Sequence, residues 1–77
     1  MQEVDSFIKE MLAVNKMKSL LPVEILEHRL QDVQEEINYV KNKEDIVDKK
    51  DFLEQLNFIK SNFDREIQKR NTSFYKE

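Results

Sequence analysis

The chain predicts an all-α fold, an antiparallel helical hairpin with an added N-terminal helix, on three observations. It carries no glycine and one proline in 77 residues, which takes away the positive-φ positions that tight β-hairpins need. Its apolar residues recur every three or four positions along three separate stretches, the spacing of a single helix face. Two of those stretches have matched lengths and are joined by the polar run Asn42, Lys43, Glu44, Asp45, so they should fold back on one another.

The first helix is expected over about 3–17. Val4, Phe7, Ile8, Met11 and Leu12 mark its apolar face, and the stripe loses register at Met17, Leu20 and Leu21 just before Pro22, which forbids a continuous helix. The second is expected over about 22–43. Pro22 suits a first helical position, and Glu24 and Glu27 favour the positive end of the helix dipole. Its apolar residues Val23, Leu26, Leu30, Val33, Ile37 and Val40 form a narrow seam of coiled-coil type. With glycine absent, Asn42 is expected to close this helix in the left-handed conformation. The third helix is expected over about 48–70, with Asp48 as N-cap and Val47 and Phe52 as a hydrophobic staple. Its stripe is Phe52, Leu53, Leu56, Ile59, Phe63 and Ile67, with Glu66 and Arg70 as an i,i+4 pair. Asn71, Thr72 and Ser73 are weak helix formers, which predicts a frayed tail over 71–77.

Folding the second and third helices together pairs Val40 with Phe52, Ile37 with Leu56, Val33 with Ile59, Leu30 with Phe63 and Leu26 with Ile67. Charge agrees with that register. Residues 24–36 carry Glu24, Glu27, Asp32, Glu35 and Glu36 against Arg29, while residues 60–70 carry Lys60, Arg65, Lys69 and Arg70 against Asp64 and Glu66. A hairpin of this size is marginal on its own, because the burial of about ten side chains is small against the ordering of nearly fifty residues. The first helix must therefore pack on it, or a second copy or another protein must. A three-helix bundle and a helical dimer both satisfy this requirement.

Length and composition narrow the functions available. Seventy-seven residues make one small domain. Without cysteine, and with His28 as the single histidine, disulfides, thiol chemistry and the usual zinc sites lack their ligands. No glycine-rich loop is present to cradle phosphate, so neither a cofactor nor a small-molecule substrate is expected. The chain also lacks an apolar run of membrane-spanning length and the basic, then apolar, opening of a secretory signal. The location expected by default is the cytoplasm.

His28 lies off the seam with no nucleophile or ligand placed to cooperate, as expected of a solvated side chain. The acidic neighbours Glu35 and Glu36 point apart on a helix, and Asp45 and Asp48 lie in no calcium-loop pattern. Basic residues near the C-terminus are interleaved with Asp64 and Glu66, and the net charge is −3. Both facts oppose nucleic-acid binding, although a small dimeric nucleic-acid-associated regulator is the leading alternative. Lys9, Lys16 and Lys18 are balanced by Glu3, Asp5 and Glu10, which argues against the first helix lying on an anionic membrane, the second alternative.

Apolar residues outside the stripes are more informative. Ile25 and Tyr39 fall on the back of the second helix and Phe58 on the back of the third. With Phe7 and Met11 of the first helix, they are the candidate partner-binding residues, since aromatic and flexible apolar side chains dominate interfaces. One of the two backs is expected under the first helix and the other under a partner. The expected function is thus non-enzymatic: a protein–protein interaction module, acting as a helical adaptor, chaperone or regulator, bound to a second copy or to another protein's helix.

Overall fold

A computed structural model of the chain describes residues 3–75, with side chains from 4 to 71. It contains three α-helices: α1 (Glu3–Lys16), α2 (Val23–Asn42) and α3 (Lys49–Tyr75). A short 3-10 turn, Lys18–Leu20, lies between α1 and α2. The molecule measures 49 × 19 × 16 Å. A 14-residue helix is about 21 Å long, more than either short dimension, so α1 lies along the bundle rather than across it. The three helices run up, down and up, with α2 and α3 forming the hairpin and α1 packing mainly on α3.

One core runs through all three helices. Val4, Ile8 and Met11 come from α1, Leu26, Val33, Ile37 and Val40 from α2, and Leu56, Ile59, Phe63 and Ile67 from α3, all buried. Phe7, Leu12, Val14, Leu21, Leu30, Ile46, Phe52 and Leu53 pack around them, partly buried. The seam and stripe expected from the sequence therefore supply the core, and α1 joins it within the same chain. Gln34, Ile37, Asn38 and Lys41 share a shallow groove with Asn57 and Lys60, which fits the expected pairing of Ile37 with Leu56 and of Val33 with Ile59.

Local details differ from expectation at the helix ends. Pro22 is the N-cap of α2, not its first residue. With φ −62° and ψ 153° its backbone is still extended, as is Leu21 before it, in keeping with the restriction proline places on the preceding residue. The Pro22 carbonyl then accepts the Leu26 N–H at 3.1 Å. At the other end of α2, Asn42 remains helical, and no described residue has a positive φ. Closure comes from Lys43, which is extended (φ −92°, ψ 128°) and donates its N–H to the carbonyls of Tyr39 and Val40 at 3.1 and 3.4 Å. A left-handed residue other than glycine costs about 1–2 kcal/mol, and the six-residue connection is long enough to turn without one.

The start of α3 also departs from the expected staple. Asp48 does precede the first helical residue, and its main-chain carbonyl accepts the Phe52 N–H at 2.9 Å. Val47, however, is 94% exposed, and Ile46 takes its place against the core. At its C-terminal end α3 continues to Tyr75 instead of fraying at Asn71. Extending an existing helix by one residue adds one hydrogen bond at small cost, so weak propensity at Asn71 to Ser73 does not stop it. Residues 76 and 77 lie outside the described residues, as do the side chains of Phe74 and Tyr75.

Candidate interaction surface

Five residues were candidates for partner binding, and the structure separates them. Met11 is buried, with 1% of its surface exposed. Its place on the inner face of α1, beside Ile8, commits it to the chain's own core, so it is withdrawn as a surface anchor. Phe7 is half-buried and packs against that core. The three outliers remain open to solvent: Ile25 is 42%, Tyr39 47% and Phe58 56% exposed. Because α1 covers the core and not the back of either hairpin helix, the expectation that it would shield one of those backs is not met.

The exposed residues do not form one patch. Ile25 and Tyr39 lie fourteen positions apart on α2, about 21 Å along its axis. Phe58 lies on the back of α3, where its neighbours one helical turn away, Glu54, Ser61 and Asn62, are polar. Three positions missing from the sequence-based candidates, Met17, Leu20 and Val47, are exposed as well, Leu20 at 81%. They lie in or beside the interhelical connections, and they were missed because the broken periodicity there gives no facing direction to infer.

Electrostatics at the bundle surface are mostly local. The ion pairs Lys9–Asp5 (3.7 Å), Arg29–Asp32 (3.4 Å), Lys69–Glu66 (4.0 Å) and Arg70–Glu66 (3.2 Å) each lie within one helix. Arg70 is the exception in reach. Its guanidinium donates to the carbonyl of Leu21 at 2.5 Å and of Lys18 at 2.8 Å while also donating to Glu66 at 3.2 Å. Glu66 is 8% exposed. The end of α3 is thereby fastened to the α1–α2 connection.

No metal-binding cluster assembles among the described residues. His28 is exposed, and no three side chains of histidine, cysteine, aspartate or glutamate converge to hold a cation. Within the same residues, no helix is long and apolar enough to cross a membrane. Compared with known proteins, the chain matches no family model, no curated protein and no solved structure.

Proposed function

We propose that the chain is a non-enzymatic protein–protein interaction module, a small helical adaptor, chaperone or regulator that packs an exposed apolar side chain against a helix of a second copy or of another protein. The observation that carries this reading is Phe58, 56% exposed in the middle of the longest helix while the core beneath it is filled by Leu56, Ile59 and Phe63. Burying a phenylalanine stabilises a complex more than leaving it in water, and a well-packed core offers it no place in its own chain. Tyr39 and Ile25 are secondary contacts on the other helix. Site-directed photocrosslinking tests the proposal: a benzophenone amino acid introduced at Phe58 should give a discrete protein adduct in cells, whereas the same group at exposed Gln31 should not. Equal adducts at both positions, or none at Phe58, would count against it.

A further inference from the structure

The back of α3 carries a second stripe. Asp51, Glu54, Phe58, Ser61 and Arg65 follow one another at spacings of 3, 4, 3 and 4, and all are exposed. This is the spacing of a helix–helix seam, on the side of α3 turned away from buried Leu56, Ile59, Phe63 and Ile67. The charge along it is ordered. Acidic Asp51 and Glu54 precede Phe58, whereas basic Arg65 and Lys69 follow Ser61. Among the described residues Asp51, Glu54 and Arg65 enter no ion pair, and Lys69 only approaches Glu66 at 4.0 Å.

We propose that α3 pairs along this stripe with α3 of a second copy, antiparallel, about a two-fold axis passing between Phe58 and Ser61. The inference rests on the reading of Phe58 as an interaction residue and names its occupant. In that arrangement Glu54 meets Arg65 of the second copy, Asp51 lies opposite Gln68 with Lys69 of the second copy beside it, and each Phe58 ring lies over the other chain's small Ser61. A two-fold interface must be self-complementary, and a helix with acids at one end of its exposed stripe and bases at the other is complementary to itself when reversed. Parallel pairing would set Asp51 on Asp51, Glu54 on Glu54 and Arg65 on Arg65, placing like charges together. An unrelated partner would give no reason for the ordering to be symmetric about Phe58 and Ser61. The contact runs over about 27 Å of helix and sits at the small end of specific interfaces, so the dimer is weak, reversible and loosened by salt.

Sedimentation equilibrium of the full chain over a wide concentration series is the test, with circular dichroism on each variant to confirm unchanged helix content. Wild type should dimerise. Phe58→Ala should weaken association about thirtyfold or more, and Glu54→Lys and Arg65→Glu should each weaken it about tenfold by setting like charges against each other. An equimolar mixture of those two charge variants should associate as wild type does, because each supplies the sign the other lacks, and so should the double variant Glu54→Lys/Arg65→Glu. A wild type monomeric throughout, charge variants that dimerise unchanged, or a mixture without rescue would each overturn the proposal. If wild type is monomeric while a crosslinker at Phe58 still captures a different protein, self-pairing fails and the interaction reading survives. Loss of both signals removes the two together.

Discussion

Arg70 joins three parts of the chain through one guanidinium. It neutralises buried Glu66 on its own helix and donates to the carbonyls of Leu21 and Lys18, the second of which also accepts the Leu21 N–H at 3.2 Å. Hydrogen bonds from a charged group are worth more than neutral ones, and removing one partner of a buried pair leaves the other charge uncompensated. Arg70→Ala should therefore cost about 2–4 kcal/mol in a urea melt, while Lys69→Ala, at the exposed end of the same cluster, should cost about 0.5 kcal/mol or less. Equal costs would contradict the assignment. The Glu66–Arg70 pair was legible in the sequence because four residues make one helical turn. The carbonyl contacts were not, since they join positions 49 and 52 apart in the chain and exist only once three helices are placed.

At the scale of elements, periodicity specified the helices and left their ends open. The seam of α2 buries Leu26, Val33, Ile37 and Val40 and the stripe of α3 buries Leu56, Ile59, Phe63 and Ile67, whereas Val23, Leu30, Phe52 and Leu53 are only partly covered. The connection between them was less legible. Val47 and Ile46 are adjacent and equally apolar, so only the path of the chain decides which one turns inward. In the structure it is Ile46, and Val47 is almost wholly in solvent. Ile46→Lys is expected to cost about 1–2 kcal/mol through lost burial, whereas Val47→Lys should stay within about 0.5 kcal/mol. Thermal melts of the two variants check this, and the reverse ranking would restore the staple expected from sequence. The candidate surface divided along the same line: exposure at Ile25, Tyr39 and Phe58 was legible because they leave the stripe, while the fate of Met11 depended on whether α1 packs within its own chain.

For the molecule as a whole, α1 decides whether the hairpin suffices. It contributes Val4, Ile8 and Met11 to the shared core, and burying three such side chains is worth several kcal/mol, comparable to the entire net stability of a small domain. A chain lacking residues 1–17 should consequently lose its cooperative thermal transition, as followed by circular dichroism, even though α2 and α3 keep their own pairing. A sharp melt near that of the intact chain would show that the hairpin stands alone. The backbone that holds this bundle has a further property. Glycine is absent, and no described residue adopts a positive φ, so none of the described residues relies on a conformation that a Cβ atom forbids. Scanning mutagenesis of this protein is thus free of one common confounder. Replacement by alanine at any described position other than Pro22 removes side-chain atoms without asking the main chain to change region of φ/ψ space, so a full alanine scan would map packing and surface contacts with little backbone strain mixed into the signal.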